Sequence, residues 1–185
     1  MDEHRAIARL KSGDIEGLRI LVELYQTEAV QAACLITQDR QVAEDVVQTA
    51  FLRSFEKIQG FDDSRPFRPW FMRIVVNDSL KAAMRQYRTV SLMDEEDADY
   101  QAILARLDAN AREPEEAIQR QELSEEIQTA ISHLSPAQRA AIVMHYFLDM
   151  STSEMADQMK IESSTIRWHL SVARERLRKL LVPFK

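Results

Sequence analysis

An asparagine surrounded by basic residues stands out among the side chains that could do chemistry. Asn77 lies in a segment that also carries Arg73, Lys81 and Arg85, at steps of four that put them on one helical face. Basic side chains along one face can follow the phosphates of a nucleic acid, and an amide can both donate to and accept from a base edge. The pattern indicates nucleic-acid binding, with a plain solvated helix face as the alternative.

A second polar and basic set lies near the C-terminus, where the local sequence predicts a helix-turn-helix. The run Ser151-Thr-Ser-Glu154 fits a capping box that opens a short helix, and Lys160 to Glu162 is a tight connection. Ser163 or Ser164 can cap a longer last helix. In a helix-turn-helix, the start of the second helix enters the major groove of DNA, whereas an ordinary helical hairpin is the alternative. The outward candidates are Ser164, Thr165, Arg167, Trp168, His169, Ser171 and Arg174.

The net charge of −6 hides an uneven distribution. Residues 65–88 carry six bases and one acid, and residues 161–185 carry six bases and two acids. Residues 91–122, between these blocks, hold ten acids and three bases. The net charge argues against a general nucleic-acid coat, while the two basic blocks allow local contacts with nucleic acid, with three solvated helix faces as the alternative.

The sequence offers little for catalysis. Its four histidines are scattered without metal-ligand spacing, and it contains no phosphate-binding loop. We therefore predict no enzyme activity, no cofactor and no metal, and we interpret the acidic run as solvated. The single cysteine, Cys34, lies on a largely apolar helix and indicates packing, with a thiol switch as the alternative. The acidic N-terminus is unlike a signal peptide and no stretch is long enough to span a bilayer, so we expect a cytoplasmic protein without membrane insertion.

Apolar periodicity, with only 3 Gly and 5 Pro, predicts an all-α protein. A short helix at 2–12 ends at Gly13, and a long one carries a stripe from Ile15 to Ile36. Asp39 can cap the next helix, which ends at Gly60. A loop over 61–69 then precedes a helix from about Trp70 to Arg88, with Trp70 assigned to core packing and an inner face of Met72, Val76, Leu80, Ala83 and Tyr87.

The periodicity fades after Arg88 and returns near Pro114. We expect a linker at 89–114, partly helical near Tyr100 to Leu107, and a second unit that starts with a stripe from Ile118 to Leu134. Ser135-Pro136 can cap the next helix. The predicted organisation is two small helical domains, 1–88 and 115–185, joined by the acidic linker.

Two sets of residues resemble one family in the right order. Ala43–Leu52 and Phe67–Asn77 are similar to conserved region two of extracytoplasmic-function sigma factors of bacterial RNA polymerase. Leu134–Arg139 and Ser153–Ala156, with Thr165-Ile-Arg167 and Ala173-Arg174, resemble region four. The resemblance implies a promoter-specificity subunit without catalysis of its own.

For core polymerase, the resemblance implies that region two docks on the clamp of the largest subunit and region four on the flap of the second-largest. An acidic and amide-bearing helix suits a basic coiled coil, with an apolar contact from Leu52. The implied docking residues are Glu44, Asp45, Gln48, Thr49, Leu52 and Arg53. An anti-sigma protein that covers these surfaces is a further expected partner.

For promoter DNA, the resemblance implies that region two captures the melted minus-ten element and region four reads the minus-thirty-five duplex. Unstacked bases need aromatic or amide groups, and a displaced strand needs cations. The implied minus-ten residues are Phe67, Arg68, Arg73, Asn77, Lys81 and Arg85. The linker acids would run through the polymerase channel and mimic nucleic acid.

The turn and the last helix depart from the family pattern. Met159-Lys160-Ile161 stands where glycine is usual in the turn, and Trp168 and His169 replace residues that are often small and basic. Base readout should therefore differ from that of relatives. A free-standing helix-turn-helix regulator with an N-terminal dimerisation domain is the alternative function, which tight operator binding without polymerase would favour.

Overall fold

The computed structural model describes residues 3–91 and 126–181, with the backbone alone for 88–91. Every regular element in these two ranges is helical, which confirms the all-α prediction. The residues predicted as linker, together with Ile118 and Leu123, lie almost entirely outside the described ranges. The helices are α1 Glu3–Lys11, α2 Glu16–Thr37, α3 Arg40–Lys57, α4 Phe67–Ser91, α5 Pro136–Ile142, α6 Thr152–Met159 and α7 Ser163–Leu181, with a further helical stretch at 126–132.

The first four helices form a bundle whose boundaries follow local signals. Asp39 caps α3 as predicted, its side chain accepting from the Val42 N–H at 3.0 Å. A 3₁₀ turn then ends the segment at Gly60, also as predicted. At the crossing of α1 and α2, a Cβ on Gly17 would lie 2.5 Å from the Ala6 carbonyl oxygen. The two helices can therefore approach this closely only because residue 17 has no side chain.

Helix α4 begins at Phe67 rather than near Trp70, so the predicted loop is shorter. Pro69 lies in the first turn of α4, where its missing N–H has no intrahelical acceptor to lose. The remaining loop is ordered by Asp62, whose Oδ1 accepts from the Ser64 N–H at 3.0 Å and from the Ser64 hydroxyl at 2.7 Å.

Three residues predicted to face the core are exposed instead. Ile15 is 54% exposed because it occupies the N-cap of α2, ahead of the helical phase. Tyr87 is 55% exposed and lies one turn beyond Ala83, the last buried residue described on α4. Ile127 is 39% exposed. The rest of the α4 inner face is buried or half-buried, and Trp70 packs against the rings of Phe61 and Phe67, as predicted.

The second unit confirms both predicted capping serines. Ser135 and Ser151 each form a reciprocal capping box, with Gln138 and Glu154 as the respective partners. Helix α5 widens into a π-helical turn at Val143–Phe147, where the Leu148 N–H donates to the Val143 carbonyl at 3.1 Å.

The structure also shows how the turn of the helix-turn-helix is formed and where its last helix begins. Lys160 adopts left-handed geometry, with φ 55° and ψ 45°, at the position where the sequence lacks the usual glycine. Helix α7 begins at Ser163, so neither serine is its cap. The Glu162 carbonyl accepts from the Thr165 N–H at 2.9 Å and from the Ile166 N–H at 3.2 Å, so Glu162 is the residue directly before α7 that accepts its first hydrogen bonds.

The two units pack against each other, which the sequence did not predict. Helix α5 contacts both α2 and α4, and α6 contacts α4. Buried side chains of both units therefore form one continuous apolar cluster. This packing brings the first helix of the helix-turn-helix onto the helix that carries Asn77.

Candidate functional site

Helix α4 presents the predicted basic face at the surface. Arg73, Lys81 and Arg85 are exposed, and Asn77 is half-buried between them. The four residues share a face because α4 buries the opposite one, through Phe71, Met72, Val75 and Val76. This arrangement suits a backbone-tracking role for the bases and a base-edge contact for the amide.

Phe67, predicted to contact DNA, is instead a core residue. Its side chain is 0% exposed, so it cannot reach a nucleic acid in this conformation. Its ring lies against those of Phe61, Phe71 and Tyr25, at centroid distances of 5.6, 5.7 and 5.8 Å. Because α4 starts at Phe67 and not after it, the helical phase turns this ring inward.

Most of the cations on and near α4 are already paired with carboxylates. Arg68 Nε donates to both carboxylate oxygens of Glu28 on α2, at 2.9 and 3.0 Å. Arg73 lies 3.5 Å from Glu154 of α6, and Lys81 lies 3.6 Å from Asp78. These ion pairs compete with any phosphate for the same guanidinium and ammonium groups.

Asp78 is a residue that sequence reasoning missed. Its side chain is 11% exposed, and it forms ion pairs with both Lys81 on its own helix and Arg53 on α3. The signal was present in the sequence, since Asp78 is the one acid among the six bases of residues 65–88. Arg53, predicted to bind polymerase, therefore braces α3 against α4.

The predicted polymerase-binding face of α3 is largely open. Asp45, Gln48, Thr49 and Leu52 are exposed, and Leu52 has 55% of its surface accessible despite being apolar. Glu44 is half-buried and accepts from Arg40 Nε at 2.9 Å, so it is engaged within its own helix. An open groove of about 400 Å³ connects this face to α4, lined by Asp45, Thr49, Arg53, Asp78, Lys81 and Arg85 among others.

Helix α7 presents five of its seven predicted DNA-contact residues. Ser164, Arg167, Trp168, Ser171 and Arg174 are exposed, whereas Thr165 and His169 are half-buried. Burial lowers the pKa of His169, which favours its neutral form, and its ring meets that of Trp168 edge-on at 5.0 Å. The buried stripe of Ile166, Leu170, Ala173 and Leu180 turns these residues outward, as predicted.

A tyrosine outside the predicted set contacts this surface. Tyr146 lies in the π-helical turn, and its hydroxyl accepts a hydrogen bond from Arg174 Nε at 2.8 Å. The Arg174 guanidinium carbon also lies 5.6 Å from the centre of the Tyr146 ring. The sequence carried no signal for this pair, since the two residues are 28 positions apart.

The contact between the units involves the proposed DNA-binding face. Besides the Arg73–Glu154 ion pair, the Gln158 side-chain amide donates to the Arg73 carbonyl at 3.2 Å. Hydrogen bonds from the Ser151 backbone and hydroxyl lower the pKa of Glu154, so this carboxylate stays charged beside Arg73. Helix α6 therefore covers part of the face that presents Arg73.

Other chemistry is not assembled in the part of the chain that the structure describes. Within residues 3–91 and 126–181, no group of three or more His, Cys, Asp or Glu side chains is placed to hold a metal ion. No helix in those ranges is long and apolar enough to cross a membrane. Cys34 is half-buried, and burial raises the pKa of its thiol, which disfavours the reactive thiolate.

Comparison with known families gives two matches in chain order. A model for Sigma-70 region 2 matches residues 21–89, and a model for Sigma-70, region 4 matches residues 124–177. Together the two matches cover well over half of the chain.

Two relatives match over nearly their whole length. The ECF RNA polymerase sigma factor SigW of Bacillus subtilis is 29% identical over 179 residues, which are 96% of this chain and 95% of SigW. The RNA polymerase sigma-H factor of Pseudomonas aeruginosa is 27% identical, with 98% of this chain and 94% of the relative covered.

Solved structures share the fold at lower identity. CnrH in complex with the cytosolic domain of CnrY is similar over 99% of both chains, with a TM-score of 0.61 and 21% identity. RpoE in complex with the anti-sigma factor NepR, from Bartonella quintana, gives the same TM-score and identity over 90% of this chain and 98% of RpoE. Because both conserved regions occur in order and the relatives are sigma factors along their length, this chain belongs to the extracytoplasmic-function sigma factors, which give bacterial RNA polymerase its promoter specificity.

Proposed function

We propose that this sigma factor divides promoter recognition between two basic helix faces, and that a third surface on α3 holds core RNA polymerase. The observation that carries the proposal is the pair of outward basic faces on α4 and α7, one in each unit. All chemistry is left to the polymerase, and the protein acts in the cytoplasm as a specificity subunit.

The minus-ten element is assigned to α4. Asn77 takes a flipped base, because its amide can satisfy a base edge and its half-buried position restricts its rotamers. Arg73, Lys81 and Arg85 follow the strand phosphates. Arg73 must first leave Glu154, which lies 3.5 Å away. Arg68 has its guanidinium held by Glu28, so we assign it to bracing α2 against α4.

The minus-thirty-five duplex is assigned to α7. Arg167 and Trp168 lie in its first turns and are exposed, so they are suited to base edges in the major groove. Arg174 lies farther along the helix and takes a phosphate. Ser164 and Ser171 supply hydroxyls on the same face, and the half-buried Thr165 and His169 support it.

Core polymerase is assigned to α3 and to the second unit. Asp45 and Gln48 meet a basic clamp coiled coil, with Leu52 as the apolar anchor. The second unit meets the flap. The domain boundaries, 1–88 and 115–185 with an acidic linker between them, belong to the same proposal.

An anti-sigma protein is proposed as the regulator. The two solved relatives described above are bound to CnrY and to NepR. The exposed faces of α3, α4 and α7 would be the surfaces that such a protein has to cover.

Run-off transcription with purified core polymerase on a promoter library tests the proposal. The wild-type protein should start transcripts at defined sites and should bind promoter DNA tightly only with core present. Tight, sequence-specific duplex binding without polymerase, together with no transcripts, would instead identify a free-standing regulator.

Two variants separate the assigned surfaces. Asn77→Ala should lower strand opening about tenfold while leaving polymerase association intact, since a base-edge contact is worth about 1–3 kcal/mol. Gln31→Ala, which removes an exposed amide on α2, is its control.

The double variant Asp45→Arg with Gln48→Arg should weaken the protein's competition for core RNA polymerase. The same charge change at Glu23 and Gln26, exposed on α2, should not. Equal loss of opening and association in Asn77→Ala would contradict the division.

A further inference from the structure

We infer that Tyr146 is a positioning residue that holds Arg174 ready for a DNA phosphate. This inference rests on the proposed role of α7 at the minus-thirty-five duplex. Tyr146 is 58% exposed, so packing alone does not account for a tyrosine there. Its hydroxyl accepts from Arg174 Nε at 2.8 Å, and its ring lies 5.6 Å from the guanidinium carbon.

The contact orients Arg174 without neutralising it. It uses the Nε–H of the guanidinium and leaves the N–H groups of both terminal nitrogens for a phosphate. Arg68 shows the contrast, since its Nε donates to the carboxylate of Glu28. A neutral partner restricts the rotamers of an arginine but does not compete electrostatically with an incoming anion.

The nearest acid on the same helix does not take the place of Tyr146. Glu175, next in the chain, is engaged with Arg178 at 3.0 Å and with Lys179 at 3.6 Å. Hydrogen bonds from Arg178 lower the pKa of Glu175, which keeps that carboxylate charged and paired away from Arg174. The partner of Arg174 is therefore a hydroxyl from another element.

The π-helical turn presents Tyr146 in this position. His145 lies edge-on against the Tyr146 ring at 4.7 Å, and its own Nδ1 lies 3.4 Å from the Met150 carbonyl oxygen. These contacts hold the tyrosine ring within the turn. The π-helical turn therefore positions Tyr146, and Tyr146 in turn positions Arg174 on the proposed recognition face.

The test measures binding of holoenzyme to a promoter duplex over a range of salt concentrations. Tyr146→Phe removes the hydroxyl and keeps the ring, and Tyr146→Ala removes both. We expect both to weaken binding, within about twofold to tenfold, as expected for ordering one arginine side chain during binding. The salt dependence should stay as in wild type, because Arg174 still reaches its phosphate. Arg174→Ala should lower the salt slope by about one counterion.

The double variant decides between positioning and a separate contact. In the Arg174→Ala background, Tyr146→Phe should have no further effect. An equal loss in both backgrounds would mean that Tyr146 contacts DNA by itself and would overturn the inference, as would wild-type binding by Tyr146→Phe. Thermal unfolding of each variant checks the fold, and Tyr146→Phe should not change it, because residue 146 is exposed.

A measurement without DNA separates this inference from the proposed function. The Nε–H resonance of Arg174 in the full-length protein should shift, and exchange faster with water, in Tyr146→Phe. An unchanged resonance would overturn the inference whatever α7 binds. If the resonance changes but Arg174→Ala binds promoters normally, the assignment of Arg174 to a phosphate fails, and the positioning role for DNA fails with it.

Discussion

Helices α4 and α7 both carry a basic face, yet their surroundings differ. On α4, Arg68 and Arg73 pair with carboxylates from other helices and Lys81 pairs with Asp78. On α7, among the described residues, Arg167 has no ion-pair partner and Arg174 contacts a neutral tyrosine. Within the described ranges, a phosphate that approaches Arg167 or Arg174 displaces no acid, whereas one that approaches Arg68, Arg73 or Lys81 does.

The two helices also differ in how deeply they are buried. Helix α4 buries two adjoining rows of side chains, including Phe67, Phe71, Met72, Val75 and Val76. Helix α7 buries a single stripe and leaves its opposite face to solvent. The comparison indicates that α4 contributes more to the buried scaffold than α7, whose outer face is free of packing within the described residues.

Among the tests of this difference, Phe67→Ala should have the largest effect. Removing a fully buried ring should lower the free energy of unfolding by about 3–5 kcal/mol, measured by urea denaturation. The matched change in the first turn of α7, Ser164→Ala, should stay within about 0.5 kcal/mol because residue 164 is exposed. A Phe67→Ala protein with wild-type stability but lost strand opening would restore Phe67 as a DNA contact.

Asp78→Ala should have the next largest effect. The carboxylate is 11% exposed and holds Arg53 and Lys81, so its removal should cost about 1–2 kcal/mol of unfolding free energy. We set this below the cost for a fully buried pair because Arg53 is 43% exposed. Asp45→Ala, exposed on α3, is the control and should change stability little. Equal small effects would show that Asp78 does not brace the two helices.

Ser151→Ala probes the start of the helix-turn-helix. The change removes the hydroxyl that accepts from the Glu154 N–H, so thermal unfolding should report a loss of about 1 kcal/mol. Ser171→Ala, in the exposed middle of α7, should be neutral or slightly stabilising, since alanine favours helix interiors. A loss at position 171 as large as at position 151 would argue against the capping role.

The smallest effect is expected for the ion pair between Arg73 and Glu154, which joins the two units. The double-mutant cycle of Arg73→Ala and Glu154→Gln should give a coupling below about 1 kcal/mol, because both side chains are about half exposed. Glutamine at position 154 can still serve the capping box. The coupling should shrink as salt is raised. A large, salt-independent coupling would mean that this pair, and not the apolar cluster, holds the units together.

Much of the local structure was predictable because its causes lie within a few residues of each other. The caps at Asp39, Ser135 and Ser151, the end at Gly60 and the inner stripe of α7 all follow from short-range patterns. The errors occur where a helix boundary sets the phase. The resemblance implies a DNA contact for Phe67 in a segment predicted as loop, whereas the residue is the first of α4 and faces the core. Periodicity predicts Ile15 as a core residue, although it precedes the first turn of α2.

The sequence by itself determined the helices, the caps at Asp39, Ser135 and Ser151, the outward faces of α4 and α7, and the family. Only the tertiary structure decided which cations have partners on other helices. Arg68 meets Glu28 across 40 residues, Arg174 meets Tyr146 across 28, and Arg73 meets Glu154 across 81. Helical periodicity extends over a few turns and sets which side of a helix a residue faces. What lies opposite that side depends on how whole helices pack, and this packing is decided by the shared apolar cluster of both units.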